Sequence, residues 1–484
     1  MMGNALILIP MIIYLALMFG IAIYTNSRAS GNGSFIEEYF IGGRSMGGFV
    51  LAMTLIATYS SASSFVGGPG VAYSTGYAWI LLSMIQVPTA FLTLGVLGKK
   101  FAIISRKINA VTVTDYLKAR YDNPFIAVTT SIAMIIFFSA AMVAQFIGGA
   151  KLFEAVTGYS YVTGLVIFGI SVILYTTIGG FRAVAITDAI QGIVMVLATA
   201  FLLVATVKAG GGVETITAKM IATNPDALTP TAGGAVSIPF ILSFWVLVGF
   251  AVLGLPQTTV RCMGFKNSKS LHSAMIIGTI VVGFLMLGMH LVGTLGAYVV
   301  PGLSGDGAIP GITVQILPPI LAGIFIAGPL AAIMSTVDSM LILASASIIK
   351  DLYLNYGKGN IEEKQLNRIS FMTTGIIGLI VFFFAINPPS IIVWINLFAF
   401  GGLEAAFFWP TILGLYWKRA NADGAILSIV TGIASFFIFT VYAIKPFGMH
   451  QIVPTLLVAL AAFIIGSIFG RKNSEETIKL FWEA

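Results

Sequence analysis

Long apolar runs separated by short polar stretches make up the chain from end to end. A helix rises about 1.5 Å per residue, so about 20 apolar residues cross a hydrocarbon layer about 30 Å thick. Runs of that kind lie near 5–27, 47–74, 77–104, 125–153, 160–178, 183–208, 236–262, 271–298, 318–349, 367–386, 391–417, 422–444 and 453–470. The expected fold class is therefore an all-α integral membrane protein with about thirteen transmembrane helices. The first run has no basic residue before Ala5 and no small-residue cleavage pattern behind it, so it reads as a retained helix. The longer connections lie around 210–235 and 299–317, while 112–121, with Asp115, Lys118 and Arg120, reads as a helix on the inner membrane surface.

An odd number of spans puts the termini on opposite sides, and Lys and Arg choose between the two orientations. With the N-terminus outside and the C-terminus inside, all of the 25 Lys and Arg except Lys151, Lys208, Lys219 and Lys445 fall in inner loops or the inner tail. A wrong count in the middle of the chain would scramble this partition, so the charge pattern supports the count as well as the orientation. The expected location is the cell membrane, crossed many times.

Composition agrees with that reading. The chain is 58% hydrophobic and 9% charged, where a soluble domain has about 25% charged residues and needs them to cover its surface. A net charge of +7 would suggest nucleic acid as a partner for a soluble protein, but here the basic residues sit between apolar runs and face a lipid bilayer instead. The single cysteine, Cys262, rules out an intramolecular disulfide, and no Cys/His spacing fits a zinc site.

Two runs are interrupted. In the second, residues 57–70 (ATYSSASSFVGGPG) place small, hydroxylated and helix-breaking residues inside a membrane helix. Freed backbone groups survive there only when buried or lining a wet cavity. A broken helix can offer carbonyls to a cation and N–H groups to an anion; alternatively, small residues simply let helices approach closely. The seventh run carries Gly249, Gly254 and Pro256. Runs two to six and seven to eleven then form two blocks of five, each opening with a broken helix, and five being odd, the blocks enter the membrane from opposite sides. That is the pattern of an inverted repeat with its binding site near the midplane. The expected organisation is 1–46 as an extra helix and first inner loop, 47–209 and 236–417 as the repeats, and 418–484 as two C-terminal helices and an inner tail.

In the ninth run Ser335, Thr336 and Asp338 interrupt an apolar span. Hydroxyls suit a hard cation such as sodium, though they can equally bond back to carbonyls of their own helix. An enzyme is disfavoured: no His-Glu-x-x-His or Gly-x-Ser-x-Gly occurs, and 95–100 (GVLGKK) lacks the spacing of a nucleotide loop. A channel would call for a continuous polar lining or a charged ring, and neither is visible.

The segments 38–48 (EYFIGGRSMGG), 61–70 (SASSFVGGPG), 179–183 (GGFRA), 187–192 (TDAIQG), 254–261 (GLPQTTVR) and 331–336 (AAIMST), in this order and spacing, resemble the sodium/solute symporter family over nearly the whole chain. A second set, 40–48, 145–150 (QFIGGA), 243–248 (SFWVLV) and 398–405 (FAFGGLEA), resembles its pantothenate-carrying branch. The resemblance implies a LeuT-like core of inverted five-helix repeats, with sodium as the coupling ion and no organic cofactor. It also implies uptake of pantothenate or a similar small carboxylate by alternating access. Matched residue by residue, it assigns the ion to backbone oxygens of Ala57, Ser60 and Ala332 and the hydroxyls of Ser335 and Thr336. Tyr59 stands where proline-carrying relatives have a carboxylate and Ser64 where sugar-carrying relatives have a Gln, which argues against those substrates.

For the substrate, Ser63, Ser64, Gly67 and Gly68 with apolar walls suit a molecule bearing a carboxylate, hydroxyls and an amide. Gln145 is either a further substrate contact or a bridge between helices. Asp188, which the resemblance links to sodium coupling, is alternatively a partner of Arg182. Asp338, three residues after Ser335, shares nearly the same helix face and is placed to tune the ion site. Arg261, near Lys266 and Lys269, reads as an anchor at the inner membrane face. His272, His290 and His450 are dispersed and carry no assigned chemistry.

Overall fold

The computed structural model describes residues 2–27, 40–41, 44–357, 362–388 and 391–483. Among these, eleven single helices are long and apolar enough to cross a bilayer, and two bent pairs bring the number of spans to thirteen. In order they are Leu6–Thr25, the pair Gly48–Tyr59 and Ser63–Thr75, Tyr77–Lys107, Pro124–Thr157, Tyr161–Gly179, Ala183–Ala209, the pair Ile238–Gly254 and Pro256–Met263, Ser268–Val299, Pro319–Leu354, Gln365–Ala385, Ile392–Tyr416, Ala422–Val441 and Ile452–Phe469. Each coincides with one of the thirteen apolar runs.

The spans differ in how much of their surface they hide. Phe383, Phe384, Val441 and Phe469 lie exposed on the outside of the bundle, as a lipid solvent allows. Every residue of the ninth span from Ile326 to Ala346 is buried. That helix is the central post, packed against the first, second, fourth, fifth, sixth and tenth spans.

The second span bends by 71° between its halves and the seventh by 49°. At the first bend Ser60 is extended (φ −74°, ψ 126°), and a turn of π-helix follows over Ser63–Gly67. At the second, Leu255 is extended (φ −81°, ψ 114°), because Pro256 offers no N–H and its ring disfavours a helical residue before it. The C-terminal half of the second span is held at very close range. A Cβ at Gly293 would sit 2.1 Å from the Pro69 carbonyl oxygen, and one at Gly70 would sit 2.1 Å from that of Gly305.

Three local features depart from the sequence reading. The helix runs without interruption from Tyr161 to Ala209, so the fifth and sixth spans join through helical turns. Two glycines weaken a helix by about 1 kcal/mol each but, unlike proline, do not break it. The connections expected as loops contain helices at Val213–Thr223 and Ala308–Ile316. Val113–Tyr121 is a helix, as its sequence suggests, and it opens with a Thr112/Asp115 capping box. It docks on protein more than on the membrane surface: Arg120 is fully buried and donates to the carbonyls of Gly414 (2.8 Å) and Ala420 (2.7 Å). Of the segment 38–43, only Phe40 and Ile41 fall within the described residues.

Candidate ion and substrate site

The bend of the second span turns the carbonyls of Ala57 and Ser60 away from a regular helical ladder, toward the ninth span. On that unbroken helix, residues 332, 335 and 336 share one face through their three- and four-residue spacing. The Ser335 hydroxyl donates to Ala57 O (2.8 Å) and to Ala332 O (3.1 Å). The Thr336 hydroxyl donates to Ser60 O (2.7 Å) and to Ala332 O (2.9 Å). Five oxygens from two helices thus converge, and all five residues are fully buried. Both alternatives for the hydroxyls hold at once: each bonds back within its own helix and also reaches across to the break. The set is all oxygen, which suits a hard cation. Among the described residues no cluster of His, Cys, Asp and Glu could hold a metal ion.

One helical turn along the ninth span lies a second buried network. Thr58 Oγ1 and Ser339 Oγ are 3.0 Å apart, and Arg261 Nη2 donates to the same Ser339 oxygen at 2.6 Å. Arg261 Nη2 also stands 3.6 Å from Asp188 Oδ2, which accepts a 2.6 Å hydrogen bond from Thr54. Arg261 is therefore no anchor at the membrane face. The bend before Pro256 swings the C-terminal half of the seventh span into the bundle, and both Arg261 and Asp188 are completely buried. Asp188 finds its cation in Arg261; the side chain of Arg182 lies outside the described residues.

Asp338 is set apart from the five oxygens. It accepts hydrogen bonds from the Tyr175 hydroxyl and from Thr176 Oγ1 (2.6 Å), fastening the ninth span to the fifth.

On the other side of the break a cavity of about 40 Å³ is lined by, among others, Ser63, Ser64, Gly68, Trp79, His290 and Asn396. Three of the proposed substrate residues thus face it, and two do not. Gly67 backs onto the eleventh span, where an added Cβ would lie 3.1 Å from Val393 N. Gln145 serves the break itself: its Oε1 accepts the Ala62 N–H at 2.7 Å, and its Nε2 reaches Asn396 at 3.3 Å. Tyr59 also lines the cavity and donates its hydroxyl to Val248 O (2.9 Å), joining the two broken helices.

His290, to which sequence reasoning assigned nothing, is the strongest addition. Its Nδ1 lies 2.6 Å from Met286 O. A carbonyl can only accept, so that nitrogen carries the proton and Nε2 keeps a lone pair. An added Cβ at Gly68 would lie 2.7 Å from Nε2, so this acceptor lies against the cavity-lining turn. The available signal was a histidine inside an apolar run, where it is costly without a task.

Residues 39–432 match the family model described as the sodium:solute symporter family. The sodium/pantothenate symporter of Haemophilus influenzae is 50% identical over 477 residues, covering 98% of each chain. That of Escherichia coli is 49% identical over 475 residues, again 98% of each. Among solved structures, a sodium-coupled sialic acid symporter in a substrate-bound outward-open state aligns with a TM-score of 0.82 at 20% identity, over 98% of this chain and 99% of the other. The likeness in structure gives the fold, which is LeuT-like, and the match in sequence spans both broken helices and the ninth span. The chain belongs to the sodium:solute symporter family.

Proposed function

We propose that this protein carries pantothenate into the cell together with sodium, by alternating access. The observation that carries the substrate is the half-identity, over nearly all of both chains, to two sodium/pantothenate symporters. The convergence of Ala57, Ser60, Ala332, Ser335 and Thr336 supports the ion site. A cation there ties the broken second span to the central ninth, favouring the state in which the break is ordered for substrate. The charge partition supports an N-terminus outside and a C-terminus inside, with repeats at 47–209 and 236–417.

Pantothenate is an anion with hydroxyls, an amide and a gem-dimethyl group. Ser63 and Ser64 suit its polar groups, and the His290 lone pair suits a hydroxyl or amide N–H. Backbone N–H groups where the second span resumes suit the carboxylate. The cavity, at about 40 Å³, has room for little more than water, so the walls part when substrate enters. Asp188 and Asp338 act on coupling through the helices they fasten rather than by touching the ion.

The test is uptake of labelled pantothenate into proteoliposomes with and without an inward sodium gradient. Sodium-driven accumulation is the expected result. Uptake indifferent to sodium overturns the coupling; sodium-driven uptake competed only by a different solute overturns the substrate.

A further inference from the structure

Glu404 lies in the middle of the eleventh span and is 1% exposed. Among the described residues, neither of its carboxylate oxygens has a hydrogen-bond partner. Its helix neighbours Leu403, Ala405, Ala406 and Phe407 are buried and apolar and offer it no donor. An ionised carboxylate in such surroundings is cut off from bulk water and has no countercharge among the described residues, which is costly; the neutral acid does not carry that cost. Asp188 and Asp338, buried to the same degree, each accept hydrogen bonds, which Glu404 does not.

Its position gives this a use. Asn396 and Phe400 line the cavity beside the break, and Glu404 follows on the same helical stripe, one turn beyond Phe400. The eleventh span packs against both interrupted segments, Ser63–Gly67 of the second and Ala251–Gly254 of the seventh. Any rearrangement of either break therefore changes what surrounds this carboxyl.

Among the described residues, the other ionisable groups around the eleventh span leave Glu404 without a countercharge. Tyr59 is near enough to feel its charge, but that hydroxyl is committed to Val248 O. Tyr116, Tyr121 and Arg120 of the inner helix reach the eleventh span at Thr411, Pro410 and Gly414, more than a turn beyond. On the fourth span Lys151 is paired with Asp306 near the start of the eleventh. His450 and Asp423 sit at the ends of the last two spans, beside Ser243 and Arg471.

We infer that Glu404 is a proton-binding site coupled to the transport cycle. In this state it holds a proton as the neutral acid, and it releases that proton to water when the bundle opens and wets the foot of the cavity. The coupling rests on the reading of the substrate as a carboxylate anion. An ionised Glu404 a turn below the cavity repels that anion, whereas the neutral acid does not, so proton and substrate reinforce each other's binding.

The experiment has two arms on the purified full-length protein in lipid nanodiscs. The first needs no substrate: infrared difference spectra of wild type against Glu404→Gln at neutral pH. The expected result is a protonated carboxylic-acid carbonyl band, sensitive to deuterium, present in wild type and missing in the variant. Its absence from wild type means an ionised Glu404 and overturns the site, whatever the substrate proves to be. The second arm measures pantothenate binding at saturating sodium as a function of pH. Wild-type affinity is expected to fall by up to about tenfold per pH unit above the titration point of the carboxyl. Glu404→Gln should flatten that dependence and Glu404→Asp should retain it. Identical pH profiles in wild type and Glu404→Gln overturn the coupling, while an absence of pantothenate binding at every pH overturns the substrate reading and leaves the infrared result standing.

Discussion

The Thr336 hydroxyl donates to the Ser60 carbonyl across the gap between the ninth and second spans, at 2.7 Å. Ser335 makes the matching bond to Ala57. Replacing either hydroxyl removes one oxygen from the proposed ion site. A ligand of this kind is worth about 1.5 kcal/mol, so Ser335→Ala and Thr336→Ala should each raise the sodium concentration for half-maximal uptake about tenfold. Thr336→Ser keeps the oxygen and should stay near wild type. Sodium titrations of uptake in proteoliposomes decide the matter, and an unchanged requirement in both alanine variants removes the site.

Arg261 and Asp188 face each other as a formal ion pair, 3.6 Å apart, in the network that joins the second, sixth, seventh and ninth spans. Arg261→Met leaves a buried carboxylate unpaired and should destabilise the protein by about 3–5 kcal/mol. Adding Asp188→Asn neutralises the stranded charge and should recover a large part of that loss. Thermal unfolding of the purified variants measures both; a double variant no more stable than Arg261→Met alone contradicts the pairing.

Gly293 and Gly375 are both glycines within membrane helices, yet they predict opposite outcomes. A methyl group at Gly293 meets the Pro69 carbonyl at 2.1 Å, whereas at Gly375 it meets nothing within 4 Å. Gly293→Ala should sharply reduce folded protein or uptake by displacing the C-terminal half of the broken second span. Gly375→Ala should be neutral, or stabilising by up to about 1 kcal/mol through helix propensity. Expression and uptake assays compare them, and a tolerated Gly293→Ala shows that this contact is not limiting.

His290→Ala removes the acceptor beside Gly68. Loss of one buried hydrogen bond to substrate should raise KM for pantothenate by about tenfold at saturating sodium. The hydroxyls of the proposed ion site remain, so uptake should still depend on sodium. A KM unchanged from wild type places the histidine outside the substrate contacts.

The thirteen spans were legible because each must meet a fixed length in apolar residues, and residues near 57–70 and 249–256 betrayed the bends by their glycine, serine and proline content. The convergence of residues 57, 60, 332, 335 and 336 could be anticipated only by resemblance, since nothing local brings 60 to 336. Arg261 was misread because the direction of a helix after a bend decides whether its end meets water or the bundle, and composition does not encode that angle. Gln145 shows the same limit: an amide facing a broken helix serves the backbone, and its target, Ala62 N–H, exists as a free donor only once the break has formed. His290 stood in the sequence as a histidine inside an apolar run, but its task became visible only when the eighth span lay against Gly68.

The hydroxyl bridges between the ninth and second spans bear on how firmly an ion is held at the proposed site. Ser335 and Thr336 carry one hydroxyl proton each, and each is shared between the break and the carbonyl of Ala332. A cation seated among the five oxygens would need both protons turned away from those carbonyls, so its binding would be opposed by the two bridges it replaces. A site built in this way favours an ion held weakly over one that is trapped, as a carrier that must let its cargo go requires.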